Sequence, residues 1–403
     1  MRNSAFLQFL GTEAKHLEQA GLLRREPLLT TPSGPTIRIG DRELLNFASS
    51  DYLGLSAHPA VKKAAIGAIE TWGVGLASPR MAAGTLPLHA ELEQTLAKFL
   101  GTGDALVFPS GYHANTSLFE SLLGDRDYLF CDELIRPSLT DGVRLCRARV
   151  YSYRNQDMEH LEDRLRRSRA ARFRIIVTDG VFPLSGLTAN LRDIYGLAAK
   201  YNALVAVDDS QGIGIVGEHG RGTHDQLGLT DRIDLVSGSF GAALGGGAGG
   251  FVAGRKEIVT WLRQKSRAYL SSTALPPASV AAALEALSLL RSDPSLREQL
   301  GLNVKLFRDA LAEHGLWTAE GDHPAVAVLI RHAVAAQRLA DFLFRKGVFA
   351  IGFCHPVVPE GAARIRAQVT VRHSQKALSQ AADAFAEGAT ELKIARTFDN
   401  KSE

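Results

Sequence analysis

Short apolar runs alternate with amphipathic segments over the middle of the chain. Seven runs rich in β-branched or aromatic residues predict strands: Ala105–Phe108, Tyr128–Phe130, Val150–Tyr153, Ile175–Thr178, Leu204–Val207, Asp234–Val236 and Gly250–Ala253. Apolar residues at helical spacing predict helices between several of them: Tyr112–Leu123, Met158–Arg167 and Asn190–Lys200. This α/β alternation predicts a mainly parallel, seven-stranded sheet covered on both faces, with a ligand site at the carboxyl ends of its strands.

The flanking regions have different patterns. Before the alternating region the sequence predicts a helix over 1–25, two short strands within Thr36–Phe47, a helix over Pro59–Trp72, a glycine-bearing loop over Gly73–Gly84 and a helix over His89–Leu100. After it, helices over Pro276–Arg291, 297–315 and 335–346 and strands near Val326–Ile330 and Arg364–Thr370 predict an α+β small domain. We therefore expect an N-terminal helix and arm (1–50), a large domain (51–285), a small domain (286–396) and a polar tail (397–403).

Composition excludes several classes of function. The 403 residues include 46 Lys and Arg against 43 Asp and Glu, mixed throughout, which gives no reason to expect nucleic-acid or membrane binding. Three widely spaced cysteines, Cys131, Cys146 and Cys354, show neither disulfide nor metal-ligand spacing. No apolar run approaches the roughly 20 residues of a membrane span, and the amphipathic N-terminus has no secretory cleavage pattern. We expect a cytoplasmic protein without a metal site.

Three stretches predict a binding site. Seven glycines fall between Gly238 and Gly250, where the backbone must pass close to a ligand or adopt positive φ. Ser110-Gly111-Tyr112 follows a strand and opens a helix, an arrangement typical of phosphate binding. Asp208 ends a buried strand, where a carboxylate usually pairs with a cation or hydrogen-bonds a loop.

The glycine-rich stretch also carries a family resemblance. Gly238–Gly246, with the sequence GSFGAALGG, resembles the Gly-Thr/Ser-x-x-Lys-Ala-Leu-Gly-Gly motif of the α-oxoamine synthases. These are fold-type-I pyridoxal phosphate (PLP) enzymes that condense an acyl-CoA with an amino acid. The resemblance covers about residues 1–396 and implies the fold-type-I architecture. Ala242 stands where the family has the lysine that forms the Schiff base, so we expect no covalently bound cofactor and regard PLP as improbable in that form.

Other positions also depart from the family. Asp208 matches the residue that faces the PLP ring nitrogen, but Gln211 replaces a histidine that contacts the PLP phenolic oxygen and the substrate. Arg136 replaces a histidine that stacks on the ring, and its charge suits an anion such as a carboxylate or phosphate. Ser50 replaces an asparagine that holds the substrate carboxylate, whereas Arg366 matches the arginine that binds the same group. Four changes in one pocket indicate a natural loss of PLP chemistry.

The resemblance assigns further binding roles. Ser110, Gly111 and Tyr112 correspond to the turn that holds the PLP phosphate, and Ser239 is a retained residue of the same cofactor region. Ser272 and Thr273 resemble a segment that reaches the phosphate in the other subunit's site. The resemblance therefore implies a homodimer with its sites at the interface.

These residues support a first hypothesis of function, an acyltransferase without a PLP Schiff base. The acyl donor would be a thioester of CoA or of an acyl carrier protein, and an amine-bearing acceptor would attack it directly. His113 or His355 would act as the base, and Gln211 or Arg136 as the oxyanion donor. Arg366 would anchor the acceptor.

Two alternatives remain open at this point. The chain could be a non-catalytic, lysine-less subunit that forms a heterodimer with a lysine-bearing homologue and completes its phosphate site. It could instead be an enzyme that uses PLP only as an aldimine that is not bound to lysine, since Asp208, Ser110 and Ser239 are retained.

Overall fold

The computed structural model describes residues 4–19, 23, 26–245 and 247–394. The polar tail predicted at 397–403, and parts of the helix predicted over 1–25, lie outside the described residues. Within the described part of the chain, no helix has the length and apolar character needed to cross a membrane.

The secondary structure contains the predicted strands and, in addition to predicted helices, several helices and strands that the pattern did not predict. The strands are β1 (Thr36–Ile39), β2 (Arg42–Asn46), β3 (Asp104–Phe108), β4 (Tyr128–Asp132), β5 (Arg149–Tyr153), β6 (Arg174–Asp179), β7 (Leu204–Asp208), β8 (Leu235–Ser239), β9 (Gly250–Gly254), β10 (Ala325–Arg331), β11 (Val348–Phe349), β12 (Ile351–Phe353) and β13 (Ala363–Gln368). The helices are α1 (Ser4–Gln19), α2 (Pro59–Trp72), α3 (Arg80–Ala83), α4 (Pro87–Leu100), α5 (Gly111–Thr116), α6 (Leu118–Leu122), α7 (Pro137–Leu145), α8 (Met158–Arg166), α9 (Leu191–Tyr201), α10 (Thr223–Gln226), α11 (Lys256–Lys265), α12 (Arg267–Ser271), α13 (Pro277–Ser292), α14 (Ser295–Glu313), α15 (Ala333–Arg345) and α16 (Gln375–Glu391).

The large sheet confirms the predicted α/β architecture. Its seven strands lie in the order β3-β9-β8-β7-β6-β4-β5, and β9 runs antiparallel to both of its neighbours while the other pairs are parallel. Successive residues of β4 enter hydrophobic clusters on opposite faces: Leu129 packs on one side and Phe130 on the other. This burial on both faces explains why the strands read as continuous apolar runs.

Two smaller sheets complete the fold. The strands β10, β13 and β12 form an antiparallel sheet in the region of the predicted small domain. The N-terminal hairpin of β1 and β2, which confirms the two strands predicted within Thr36–Phe47, is extended by β11 from the C-terminal part of the chain. The N-terminal arm is therefore joined to the C-terminal region by a strand pairing.

The helix predicted over Tyr112–Leu123 is interrupted. It forms the two short helices α5 and α6, separated at Ser117. The hydroxyls of Thr116 and Ser117 bond to the carbonyls of Tyr112 and Ala114, an alternative to regular helix bonding that favours interruption. The break leaves Asn115 at the carboxyl edge of the sheet.

Candidate active site

Three buried carboxylates lie at the carboxyl edge of the large sheet. Asp179 ends β6 and Asp208 ends β7, and the parallel register places these two residues directly opposite each other. Asp209 follows in the chain, and all three side chains are almost completely inaccessible to solvent. Because buried carboxylates are costly unless paired or protonated, this cluster requires a compensating charge.

Arg136 supplies that charge. Its Nη1 lies 2.9 Å from Asp208 Oδ1, and its Nε donates to Asp179 Oδ1. Its backbone N–H also donates to Asp179 Oδ2, at 2.8 Å, so the start of α7 is attached to the end of β6. The sequence predicted that Arg136 would face an anion; the anion in the structure is a pair of the chain's own carboxylates.

The electrostatics of the cluster are strongly perturbed. Burial raises the pKa of Asp179 to about 7, against the opposing influence of Arg136. Burial also raises the pKa of Asp209 to about 7, while hydrogen bonds from Thr223 act to lower it. Burial alone would lower the pKa of Arg136, but the carboxylates Asp179 and Asp208 outweigh it and hold that pKa above its ordinary value.

Asp208 is surrounded by donors. Its Oδ2 accepts from Asn115 Nδ2 at 2.5 Å and lies 3.3 Å from Ser237 Oγ. Its Oδ1 accepts from the backbone N–H of Ser210 at 2.9 Å, in addition to Arg136. A carboxylate oxygen accepts about two hydrogen bonds, so a further donor reaches Asp208 only if one of these moves. Arg136 is the charged member of the set.

The predicted phosphate turn lies beside the glycine-rich stretch. Ser110 caps α5 through a bond from His113 N to its hydroxyl, and its Oγ is 2.8 Å from His113 Nδ1. A Cβ added at Gly250 would fall 2.3 Å from the backbone nitrogen of Gly111, so only glycine permits this approach of the two segments. Ser239, which ends β8, is also close to the turn, because its Cβ lies 3.0 Å from the position of a Cβ at Gly111. The turn is thus held between β8 and β9.

The other residues of this region have individual contacts. Tyr112 is half exposed, and its hydroxyl donates to Asp141. Ala242 is 5% exposed and follows the end of β8. Neither residues 99–199 nor residues 201–255, which carry Ser110, Arg136, the carboxylates and Ala242, include a lysine. A ligand that is covalently bound to a lysine in this region would therefore need a lysine from outside both segments.

A chain of polar side chains connects Ser50 to Gln211. The hydroxyl of the fully buried Tyr52 lies 2.7 Å from Gln211 Oε1 and 2.9 Å from Gln368 Oε1. Gln368 Nε2 in turn donates to Ser50 Oγ at 2.9 Å. Two positions that differ from the family, Ser50 and Gln211, are thus joined through Tyr52 and Gln368. The backbone carbonyl of Gln211 also lies 2.9 Å from Nε2 of His323, a buried histidine.

Arg366 lies on β13 with part of its guanidinium unpaired. Its Nη1 donates to the carbonyl of Pro183 at 3.0 Å, and its guanidinium stacks on the ring of Phe353. Its Nε is buried without a partner, as is Nη2 of Arg136. Burial lowers the pKa of Arg366. Buried guanidinium nitrogens without a partner suit an anionic ligand.

The remaining predicted residues lie nearer the surface. His113 is exposed beside Ser110, whereas His355 is exposed and makes no hydrogen bond or ion pair with any residue that the structure describes. Ser272 is partly buried and Thr273 is exposed, on the segment after α12. The next residue, Ala274, donates its backbone N–H to the carbonyl of Ser78 at 3.1 Å. The contact of Ser272 and Thr273 with a second subunit remains a prediction.

Sequence reasoning missed several members of the site. Asp179 ends a strand just as Asp208 does, and this shared position was the available signal. Asn115, Tyr52, Ser237 and Gln368 carry no local signal, because their roles arise from strand order and from contacts between residues far apart in the chain.

Comparison with known proteins defines the class. Residues 42–385 match the family Aminotransferase class I and II, to which this chain belongs. The chain is 43% identical over 383 residues to 2-amino-3-ketobutyrate coenzyme A ligase of Escherichia coli (strain K12), covering 94% of this chain and 96% of that protein. It is 40% identical over 389 residues to 8-amino-7-oxononanoate synthase of Thermoanaerobacter pseudethanolicus, covering 96% and 98% respectively. These relatives are named enzymes of the α-oxoamine synthase type.

Solved structures agree on the fold. A Lys-to-Ala variant of serine palmitoyltransferase from S. paucimobilis with bound PLP–myriocin aldimine has a TM-score of 0.91 at 28% identity, covering 98% of this chain and 99% of that chain. A high-resolution structure of serine palmitoyltransferase with PLP internal aldimine has a TM-score of 0.92 at 27% identity, covering 98% and 100%. The fold-type-I architecture predicted from sequence is confirmed.

The comparisons correct one prediction. We expected no covalently bound cofactor and regarded PLP as improbable in the form of a Schiff base. That expectation is wrong, because structures that match nearly the whole chain contain PLP. One of them is a Lys-to-Ala variant that still carries a PLP aldimine. An alanine in place of a lysine is therefore no argument against PLP.

Proposed function

We propose that this chain is a transferase of the α-oxoamine synthase type that moves an acyl group from a CoA thioester to an amino-acid acceptor. In this proposal its site holds PLP through the phosphate and the ring nitrogen. The observation that carries the proposal is that Ser110, Asp208 and Arg366 are all retained. The names of the relatives, which specify a coenzyme A ligase and an oxononanoate synthase, support the substrate class.

The residues fit PLP at two of its three polar positions. The turn at Ser110 and Gly111, packed against Ser239, suits the phosphate, and the buried carboxylate of Asp208 suits the ring nitrogen once Arg136 moves away. For the third position, the aldehyde group of PLP, the chain offers only the methyl group of Ala242. PLP, when bound, supplies an electron sink for reactions at the amino carbon; the chain supplies binding, orientation and charge.

The chain's own groups have distinct proposed roles. Arg366, with its unpartnered Nε, holds the acceptor carboxylate. Gln211 accepts from Tyr52 through Oε1, which leaves its amide nitrogen to donate to a developing oxyanion. His113, exposed beside Ser110, is the proposed base, with His355 as the alternative. These interactions orient donor and acceptor.

A spectroscopic and mass test addresses the cofactor. We expect added PLP to bind the full chain, as followed by its absorbance, and the protein mass after borohydride treatment reports whether a lysine takes part. The matched variant Ala242→Lys restores an amine at that position, and borohydride should fix the cofactor to it. Covalent labelling of the unaltered chain would show that another lysine takes part. Absence of any PLP binding would remove the basis of the proposal.

A second assay addresses the reaction. Release of free CoA from acyl-CoAs of increasing chain length is followed with a panel of amino acids, with and without PLP. We expect thiol release that requires both the amino acid and PLP. No release with any donor–acceptor pair would contradict the proposed activity.

A second function, as a lysine-less subunit, has its own support. The segments around residues 72–81 expose Trp72, Val74 and Met81, the last two more than 70% exposed (81% and 75%), and Ser78 of the same region bonds the segment after Thr273. Such apolar surface favours association with another chain. Co-expression with a lysine-bearing relative tests this role: a mixed dimer more active than either chain alone supports it, whereas an active homodimer that forms no mixed species contradicts it.

A further inference from the structure

A cavity outside the site described above has several basic side chains in its lining. It has a volume of about 400 Å³ and lies where the end of α4, the loop before α10 and the junction of α13 and α14 meet. Four basic residues line it, Lys98, Arg221, Arg291 and Arg297, against one carboxylate, Glu218. Since the whole chain has nearly equal numbers of basic and acidic residues, this concentration of positive charge is local.

The four cations are not neutralised by the chain itself. Arg297 donates only to backbone carbonyls, of Leu290 at 3.1 Å and of Glu218 at 3.0 Å. Lys98, Arg221 and Arg291 form no ion pair with any of the residues that the structure describes. The Nε of Arg221 is buried without a hydrogen-bond partner. A buried donor without a partner is costly and is usually satisfied by water or by a ligand.

Interaction with a helix dipole explains the positions of only two of these four cations. Lys98 and Arg291 lie in the last turns of α4 and α13, where a cation interacts favourably with the helix dipole. Arg221 lies in a loop, and Arg297 lies in the first turns of α14, where a cation is unfavourable for the helix. The positions of Arg221 and Arg297 therefore need another explanation.

The shape of the cavity restricts the class of ligand. Its volume is in the range of small-molecule sites, and Phe99 and Leu290, both buried, form an apolar part of its wall. Guanidinium groups from different segments match several phosphate groups, because each phosphate offers multiple acceptor oxygens to an arginine fork.

We propose that this cavity binds a small molecule that carries two or more phosphate groups. The nucleotide end of a CoA thioester and a free polyphosphate share this chemistry. The site goes beyond the proposed acyl transfer and does not depend on it, since its lining includes none of the residues Ser110, Arg136 and Asp208.

Calorimetric titration of the full chain at about 0.15 M salt tests the site. The probes are inorganic pyrophosphate, adenosine 3′,5′-bisphosphate and orthophosphate. We expect pyrophosphate or the bisphosphate to bind at least about tenfold more tightly than orthophosphate. We expect Arg221→Gln and Arg291→Gln each to weaken that binding about tenfold or more, as loss of a charged hydrogen bond predicts. Arg221→Lys should restore part of the loss, and Arg169→Gln, an exposed change elsewhere, should have no effect.

The outcomes separate the possible sources and the failure of the idea. Tighter binding of adenosine 3′,5′-bisphosphate than of pyrophosphate identifies a nucleotide ligand, and the reverse identifies an inorganic polyphosphate. If Arg221→Gln fails to fold, the exposed Arg291 keeps the test valid. Binding that is unchanged in the Arg221→Gln/Arg291→Gln double variant, or no binding of any probe, overturns the proposal. Neither result depends on PLP binding or on acyl transfer.

Discussion

Replacement of Arg136 by glutamine tests the electrostatic account of the site. The guanidinium is 13% exposed and pairs with two carboxylates that are 0% and 1% exposed, Asp179 and Asp208. Removing one partner of a buried ion pair costs about 3–5 kcal/mol, because the other charge is left uncompensated. For 403 residues the unfolding entropy near Tm is roughly 0.8 kcal/mol/K. The expected fall in Tm is therefore about 4–6 °C.

The size of this fall should depend on pH. Burial raises the pKa of Asp179 to about 7, so below pH 7 that group is largely protonated and Arg136→Gln leaves one uncompensated carboxylate. Above pH 7 Asp179 is charged in the folded chain and the loss is larger. We expect a fall of about 4 °C at pH 6 and about 6 °C at pH 8.5, measured by calorimetry or by near-UV circular dichroism.

The matched control is Arg144→Gln. Arg144 pairs with Asp141 at 3.2 Å on the surface of α7, with its side chain 75% exposed. An exposed pair of this kind contributes at most about 1 kcal/mol, so Tm should change by about 1 °C or less at either pH. A loss for Arg136→Gln no greater than that of the control, or one that shrinks as pH rises, would refute the reasoning.

Three further changes test other parts of the site. Arg366→Gln should raise the KM for the amino-acid acceptor at least about tenfold with a smaller effect on kcat, since one charged hydrogen bond is lost; a change in kcat alone would argue against a binding role. Tyr52→Phe leaves Gln211 Oε1 and Gln368 Oε1 without the buried hydroxyl and should lower the free energy of unfolding by about 1–3 kcal/mol; an unchanged denaturant midpoint contradicts this. Because burial raises the pKa of Asp209 to about 7, its contribution to stability is complete below about pH 4 and is lost as pH rises through 7. Asp209→Asn should reduce the change in Tm between these two pH values. An unaltered dependence of Tm on pH would exclude Asp209 as the source of that change.

The large sheet could be predicted because its strands are buried on both faces. Segments such as Ile175–Thr178 and Leu204–Val207 consist of apolar and β-branched residues between helical patterns, and this local signal needs no knowledge of neighbours. The direction of β9 could not be read in the same way, since Gly250–Ala253 has the same composition as a parallel strand. Its antiparallel pairing with β3 and β8 follows from the path of the chain.

Residues of the candidate site could be predicted where a polar residue follows or ends a predicted strand. Asp208 and the turn at Ser110 are examples, and the structure places both at the carboxyl edge of the sheet. The partner of Arg136 was not predictable, because the contact with Asp179 depends on the register of β6 against β7 and on the start of α7. The sequence predicted that Arg136 would face the anion of a ligand, whereas in the structure Arg136 pairs with carboxylates of the chain itself.

This internal ion pair makes PLP affinity dependent on pH under the proposed function. A ring nitrogen and Arg136 compete for Asp208, so binding requires Arg136 to leave it. When Asp179 is charged, above pH 7, Arg136 retains a carboxylate partner after it leaves; when Asp179 is protonated, it does not. The affinity for PLP should therefore increase from pH 6 to pH 8, by at most about tenfold per pH unit for one linked proton.

Asp179→Asn removes the proton-binding group and is the decisive variant. Titration of PLP fluorescence across pH 6–8 should give a steeper dependence for the unaltered chain than for Asp179→Asn. The phosphate of PLP titrates near pH 6 and contributes equally to both proteins, so the difference between the two curves isolates Asp179. Curves of equal slope would mean that the charge of Asp179 does not help Arg136 to leave Asp208. The proposed coupling between Asp179 and PLP binding would then be wrong.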